Sequence, residues 1–211
     1  MFGTHDLTLF VLSGLLLNIT PGADTLYIVG RSTAQGVRSG MMAALGIGAG
    51  CCVHMFAAAL GLSAILAASA TAFAVVKLIG AAYLVYLGIS LLRSSAVPSA
   101  ARPAPLPPTP LRRVFVQGLL TNVLNPKVAL FFLAFLPQFI DHDAPSKVLG
   151  FLFLGAVFNL NGTLWNLFVA WSSARVGQRA RGRERCAVWL SRTAGVIFIG
   201  LGIKLALSKA D

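Results

Sequence analysis

Long apolar runs alternate with short polar connections along the whole of the 211-residue chain. A helix that crosses a bilayer needs ~20 mostly apolar residues, and six of the runs reach that length. We therefore predict an all-α membrane protein with six transmembrane helices, called spans one to six. They cover residues 7–30, 40–66, 72–92, 114–140, 148–171 and 187–207.

One connection, residues 93–113, differs from the others in composition. It reads RSSAVPSAARPAPLPPTPLRR, and its six prolines cannot support a helix, so we expect an extended or disordered linker. The linker divides the chain into a first three-helix repeat, residues 1–92, and a second three-helix repeat, residues 114–211.

Basic residues are distributed unevenly between the two sides of the predicted spans. The connections after spans one, three and five carry eleven Lys and Arg residues, against two on the opposite side. Cytoplasmic loops of membrane proteins are enriched in these residues. We therefore predict that these three connections, including the linker, are cytoplasmic and that both termini are periplasmic.

The two halves of the chain echo each other in sequence. Span one contains GLLLNITPGADTLYIV and span four contains GLLTNVLNPKVALFFL; span three contains KLIGAAYLVYLGISLL and span six contains RTAGVIFIGLGIKLAL. Because each half has three spans, the second must enter the membrane from the opposite side. This predicts two inverted three-helix repeats, the plan of many secondary transporters. The alternative is that all apolar helices look alike.

Spans one and four are each interrupted at a proline that stands next to a charged residue. Pro21 and Gly22 precede Asp24, and Pro126 precedes Lys127. At about 1.5 Å per residue, both charges lie inside the hydrocarbon core, where an isolated charge is costly. We predict that the prolines and the glycine build the breaks, and that Asp24 and Lys127 belong to a binding site near the midplane.

Each of the two charges also has a structural explanation. Asp24 could cap the helix that starts after the Pro-Gly pair, and Lys127 could serve only to neutralise Asp24. The functional hypothesis, which we favour for Asp24, is that its carboxylate alternates between carrying a proton and facing a substrate ammonium. Lys127 and nearby backbone amides would then hold the carboxylate.

Spans two and five carry small and polar residues at helical spacing. Gly46 and Gly50 are interpreted as close packing between helices, and His54 as a hydrogen-bonded structural residue, with proton handling or substrate contact as its alternative. The stripe in span five either lines the transport path, with Asn159 as the best candidate, or packs against another helix. This stripe consists of Gly155, Asn159, Gly162, Thr163 and Asn166.

Composition excludes several functional classes. The chain is 57% hydrophobic and 11% charged, whereas soluble domains are about a quarter charged. The formal charge of +11 lies in the connections between spans, so no nucleic-acid partner is expected. There is no glycine-rich phosphate loop, no Cys-x-x-Cys and no nucleophile–base pair, so we predict neither an enzyme nor a cofactor.

A metal-binding role has to be considered because Cys51, Cys52 and His54 lie close together in span two. No further group of ligands accompanies them, and we predict no metal site. Replacement of the two cysteines should therefore leave transport nearly intact.

The residues around the two breaks resemble those of the lysine exporter (LysE) superfamily, most closely its homoserine/threonine-resistance (RhtB) branch. The stretches that carry the resemblance are LNITPGADTLYIVGRSTAQGVRSGMMAALGIGAG, KLIGAAYLVYLGISLL and NPKVALFFLAFLPQFI, and the likeness runs from about residue 7 to residue 207. The resemblance implies a multi-pass protein of the bacterial inner membrane that exports amino acids or close derivatives. It also implies coupling to the proton gradient and assembly into homo-oligomers.

The motifs of the family fall on residues already singled out and add Asn125. Its Pro-Gly-x-Asp signature falls on Pro21, Gly22 and Asp24, and its Asn-Pro-Lys signature falls on Asn125, Pro126 and Lys127. Two positions depart from the family pattern, which often has a proline in place of Ala23 and an aspartate in place of Cys51. The second departure puts the coupling ion, or a preference for cationic substrates, in doubt.

Together these features predict proton-coupled efflux of a small zwitterion, similar to homoserine, threonine or lysine, across the inner membrane. The expected partners are the amino-acid substrate, protons and the lipid bilayer. A metal-ion exporter and an uncoupled membrane pore are the alternatives.

Overall fold

The computed structural model describes residues 2–62, 70–93, 109–141 and 143–176, together with isolated residues between 192 and 203. Regular secondary structure in these ranges is helical, and one isolated antiparallel bridge joins Thr4 to Ile140. A π-helical turn, Ala58–Leu62, extends α3, and a 3-10 turn, Leu136–Phe139, follows α6. The helices are α1 (Leu7–Ile19), α2 (Ala23–Gln35), α3 (Val37–Ala57), α4 (Ala70–Arg93), α5 (Leu111–Val123), α6 (Pro126–Ala134) and α7 (Lys147–Val176).

Span one is broken where the sequence predicts. Its two pieces, α1 and α2, meet at an angle of 52°. Thr20 ends α1 in an extended conformation, because a residue before proline is disfavoured in helical geometry. Gly22 is also extended, with φ −156°, and α2 begins at the next residue.

Span four is broken in the corresponding place, and α5 and α6 are bent by 49°. Pro126 occupies the first turn of α6, where its missing N–H costs no hydrogen bond. Asn125 is the N-cap, and its side-chain oxygen accepts a 3.0 Å hydrogen bond from the backbone N–H of Lys127. The structure therefore has a helix break at each of the two prolines.

The remaining predicted spans are described to different extents. Helix α3 with its π-turn and helix α7 are each long and apolar enough to cross a membrane, and each bent pair can count as one further span. Helix α4 covers predicted span three. Most of span six and residues 94–108 of the linker lie outside the described residues.

Two predicted boundaries are wrong by several residues. Helix α5 begins at Leu111, directly after Pro110, so the arginines at 112 and 113 belong to a helix and not to the linker. Helix α2 continues to Gln35, so Arg31, which follows predicted span one, lies inside a helix and is buried. The polar side chains that bind Arg31 make this burial possible.

Helix α3 is the centre of the packed core, in contact with α2, α5 and α7. Its glycines let α5 approach closely. A Cβ on Gly46 would collide with the carbonyl oxygen of Phe115, and one on Gly50 would lie 2.7 Å from Leu119 O. In return, a Cβ on Gly118 would lie 2.6 Å from Ala43 O. The close-packing interpretation of Gly46 and Gly50 is therefore confirmed.

A cluster of buried phenylalanines joins α1, α6, α7 and the 3-10 turn. Phe131 stacks on Phe158 with ring centroids 4.5 Å apart and on Phe135 at 4.8 Å. Phe10 meets the edge of Phe139 at 5.2 Å. This aromatic packing holds the two half-helices α1 and α6 together and leaves Phe158 as the wall between the cluster and a polar cavity.

Candidate functional site

The two helix breaks face each other and enclose a polar cavity with two adjoining chambers. The first lies at the breaks themselves, and the second extends between α3 and α7. Of the described residues, both chambers are lined by Asn18, Asp24, Val128, Phe158 and Asn166.

Asp24 lies on the wall shared by the chambers, one residue after the start of α2. Its Oδ2 accepts a 2.8 Å hydrogen bond from Nδ2 of Asn122, on α5. Its Oδ1 is buried and has no hydrogen-bond partner among the described residues. The N-cap of α2 is Gly22, which makes no side-chain capping bond. The capping explanation of Asp24 is therefore wrong, since its carboxylate is used in a contact between helices.

Lys127 is close to Asp24 but does not pair with it in the described part of the chain. Its Nζ donates to the carbonyl oxygens of Leu17, at 2.7 Å, and of Thr20, at 2.8 Å. These are among the last carbonyls of α1, which no helical N–H can satisfy and which carry the negative end of the helix dipole. Lys127 therefore ties the break in span four to the break in span one, without a direct ion pair to Asp24 among the described residues.

The other residues of the two signatures build the site around these charges. Gly22, Asn125 and Lys127 line the first chamber. Asn125 is 6% exposed; its side-chain oxygen caps the start of α6, and its side-chain amide interacts with Asp24. Pro126 and Pro21 contribute the breaks and no side-chain polar group.

The polar stripe of span five reaches the second chamber. Asn159, Gly162, Thr163 and Asn166 all line it. Asn159 donates to the sulfur of Cys52 at 3.3 Å and accepts from the Thr163 hydroxyl at 3.3 Å. Gly155 instead packs on α3, since a Cβ there would lie 2.5 Å from Met55. The stripe therefore both lines the cavity and packs against neighbouring helices.

His54 is not part of the cavity lining. Its Nε2 lies 3.0 Å from the backbone oxygen of Asn122, and its ring stacks on Phe132 with centroids 6.0 Å apart. His54 lines neither chamber, and its inclusion among the substrate- or proton-binding residues stays a prediction. The hydrogen-bonded structural interpretation holds, with His54 supporting the residue that contacts Asp24.

Two asparagines of the site were missed as candidates. Asn18 lines both chambers, and Asn122 is 2% exposed and contacts Asp24 directly. The internal repeat contained a signal for both, because they are the asparagines of its Gly-Leu-Leu-x-Asn element. Neither is charged or next to a proline, so the cost of an intramembrane charge does not single them out.

Metal ligands are not brought together in the described ranges. No group of three or more His, Cys, Asp or Glu side chains there could hold a metal ion. Cys51 is buried and lines the second chamber, and Cys52 accepts the hydrogen bond from Asn159. Cys186 lies outside the described residues.

A second polar cluster joins the end of α2 to the start of α5. The buried guanidinium of Arg31 donates to Thr109 Oγ1 and to Gln117 Oε1, both at 2.9 Å. It also lies over the ring of Tyr27, 5.6 Å from the centroid. The single proton of the Tyr27 hydroxyl is shared between Val114 O, at 2.9 Å, and Gln117 Oε1, at 3.1 Å, so both Tyr27 and Arg31 tie α2 to α5.

Comparison with known proteins places these features in a family. A model described as LysE type translocator matches residues 15–209. The chain is 33% identical over 208 residues to an uncharacterized membrane protein of Pseudomonas aeruginosa, covering 97% of this chain and 96% of that protein. It is 28% identical over 205 residues to the leucine efflux protein of Salmonella typhimurium, covering 97% and 96%.

A third relative, an uncharacterized membrane protein of Bacillus subtilis, is 30% identical over 211 residues, covering 97% of this chain and 100% of the relative. No solved structure matches the chain. The matched region contains both helix breaks and the cavity between them.

Proposed function

Because the chain belongs to the LysE type translocator family, whose members are membrane transporters and not enzymes, we propose that it exports an amino acid or a close derivative. The observation that carries the proposal is the cavity at the paired breaks, where Asp24 presents one bonded and one unbonded oxygen. Buried polar groups are normally hydrogen-bonded, and an unpaired one at a cavity marks a place for a ligand.

We propose a cargo that is a small zwitterion. The sequence motifs favour the homoserine/threonine branch of the family, whereas relatives from Salmonella are named leucine efflux proteins. These compounds share an α-ammonium and an α-carboxylate. A carboxylate, several amides and an apolar wall at Phe158 suit that chemistry.

Proton coupling is proposed to act through Asp24. A carboxylate that binds either a proton or a substrate ammonium exchanges one for the other, which is the basis of antiport. Asp24 contacts α5 through Asn122, so protonation would also change the contact between the two halves of the chain. The same residue would thereby couple binding to a change in helix packing.

The membrane arrangement is proposed from the sequence. From the loop charges and the internal repeat we expect six spans in two inverted repeats with periplasmic termini. From the family resemblance we expect an inner-membrane location and assembly into homo-oligomers. The two breaks lie at corresponding places in the two halves and bend their helices by similar angles, 52° and 49°, which agrees with that plan.

The experiment that tests the proposal has two parts. Cells that express the protein are grown on a panel of toxic amino acids and analogues, and resistance identifies the cargo. Uptake of that cargo into inside-out vesicles is then measured with and without an imposed proton gradient. Flux that ignores the gradient would favour an uncoupled pore. Resistance to metal salts alone, lost in the Cys51→Ser, Cys52→Ser double variant, would favour a metal exporter.

A further inference from the structure

Three buried polar atoms at the cavity have no hydrogen-bond partner among the described residues. They are Oδ1 of Asp24, Oδ1 of Asn122 and Nδ2 of Asn18. All three residues line the second chamber. An unpaired buried donor or acceptor is unfavourable, so three of them at one cavity define the pattern of groups that a ligand must satisfy.

The pattern contains two acceptors and one donor. Both acceptors come from the Asp24–Asn122 pair, and the hydrogen bond inside that pair uses one oxygen of the carboxylate and the nitrogen of the amide. The remaining oxygens of both side chains are left for a ligand that donates, and the negative charge favours a cationic donor. The donor, on Asn18, is left for a ligand group that accepts.

An α-amino acid carries these groups on one carbon atom. Its ammonium would donate to Asp24 Oδ1 and Asn122 Oδ1, and its carboxylate would accept from Asn18 Nδ2. Lys127 lines only the first chamber, where the carbonyls of Leu17 and Thr20 bind two of its three N–H donors. The charge-bearing ends of the cargo are thereby assigned to specific side chains.

The rest of the wall restricts the cargo side chain. Phe158 and Val128 line both chambers, and Leu17 and Ile47 line one chamber each. Asp24 is the only acid among the described lining residues, and the proposed binding mode commits it to the α-ammonium. A basic side chain would therefore find no counter-charge, whereas an aliphatic one would contact apolar groups.

We propose, on the basis of the proposed export function, that Asn18 and Asn122 determine specificity for zwitterions with uncharged side chains. Asn122 acts with Asp24 on the α-ammonium, and Asn18 acts on the α-carboxylate. The cargo class is thus the neutral aliphatic or hydroxylated amino acids and excludes lysine.

The test is competition for binding of labelled L-leucine to the purified full-length protein in detergent. The competitors are matched: L-leucine, isopentylamine, which lacks only the carboxylate, 4-methylpentanoate, which lacks only the ammonium, and L-lysine. We expect isopentylamine to compete at least ten-fold more weakly than leucine, and 4-methylpentanoate and lysine not to compete. Lysine or isopentylamine competing as well as leucine would overturn the proposal.

A pair of variants tests the assignment of each side chain. Asn18→Leu should weaken the binding of leucine about ten-fold and leave the binding of isopentylamine unchanged, because only the substrate carboxylate loses a partner. Asn122→Leu should weaken the binding of leucine and of isopentylamine by the same factor, because both compounds carry the ammonium. Thr121→Val is the control, since its hydroxyl bonds to Gln117 O within the same helix and it does not line the cavity. Equal losses of leucine and isopentylamine in Asn18→Leu would contradict the assignment.

The outcome also separates this proposal from the export function. If neither leucine, threonine nor homoserine binds to folded wild-type protein, both are overturned. If these amino acids bind and are transported but the Asn18 variants do not discriminate between leucine and isopentylamine, only the present proposal fails. Should Asn18→Leu not fold, as judged by size-exclusion chromatography, the isosteric Asn18→Asp variant takes its place. The Asn18→Asp variant should bind leucine more weakly, because the new carboxylate repels that of the substrate, and should still bind isopentylamine.

Discussion

The ammonium of Lys127 donates a 2.8 Å hydrogen bond to the carbonyl oxygen of Thr20, so the cation of one helix break is bound to the backbone of the other. Its second bond, to Leu17 O, lies nearly one turn earlier on α1. A proline break leaves such carbonyls without a helical partner. The two breaks are therefore one structural unit, and Asp24 is left to the cavity.

Substitution of Lys127 should reduce stability as well as transport. Lys127→Met keeps the length of the side chain but leaves two α1 carbonyls without their donor, which should cost on the order of 2 kcal/mol. We expect a lower melting temperature of the detergent-purified protein. Lys147→Met, at the start of α7, is the control and should melt like wild type. Equal melting temperatures for the two variants would contradict a linking role for Lys127.

Substitution of Asp24 by asparagine should abolish coupling but not folding. Asparagine can still accept the 2.8 Å bond from Asn122, so helix packing is retained, whereas no proton can be exchanged. We expect normal amounts in the membrane and no response of uptake into inside-out vesicles to a proton gradient. Asp141→Asn, an exposed acid after the 3-10 turn, should respond like wild type. Undiminished gradient-driven uptake by Asp24→Asn would exclude the coupling role.

Substitution of Gly46 by alanine should disrupt the contact between α3 and α5. The added Cβ meets the carbonyl oxygen of Phe115, which is backbone and cannot rotate away. Overpacking of this kind costs about 1–3 kcal/mol. The yield of monodisperse protein on size-exclusion chromatography measures the effect. Gly61→Ala has no atom within 4 Å of its new Cβ and should be tolerated. An equal loss of monodisperse protein in Gly46→Ala and Gly61→Ala would show that the contact between α3 and α5 is not the cause.

Substitution of Gln117 by leucine should weaken the joint between α2 and α5. It removes the oxygen that accepts from Arg31 and leaves a buried guanidinium N–H without that partner, whereas Tyr27 can still donate to Val114 O. We expect a loss of about 1–3 kcal/mol, measured as a fall in melting temperature. Thr121→Val, one turn along α5, breaks only a bond within the helix and should change the melting temperature little. Unchanged stability of Gln117→Leu would show that the cluster contributes nothing.

The predicted topology can be tested by reporter fusions. Fusions at residues 100 and 180 should report a cytoplasmic location, and a fusion at residue 211 a periplasmic one, because positive connections stay inside. A cytoplasmic C-terminus would require an odd number of spans and would remove the argument for two inverted triplets.

The sequence by itself determined the class of the protein and the location of its breaks. Apolar runs of ~20 residues are long enough to cross a bilayer, where a helix pairs all of its backbone N–H and C=O groups internally. Pro21 and Pro126 cannot be accommodated in an uninterrupted helix. The cost of an isolated charge then directs attention to Asp24 and Lys127. All of these arguments depend on residues that are near one another in the chain.

Only the tertiary structure decided which groups meet. Lys127 binds carbonyls of α1 instead of Asp24, and Asn122 binds Asp24 across 98 positions of sequence. The same packing excludes His54 from the cavity lining and buries Arg31. Hydropathy and helical period indicate that a residue lies in a span but not which helix its face contacts. That contact depends on how closely glycines let the helices approach and on the angle at each break, both of which arise between segments distant in sequence.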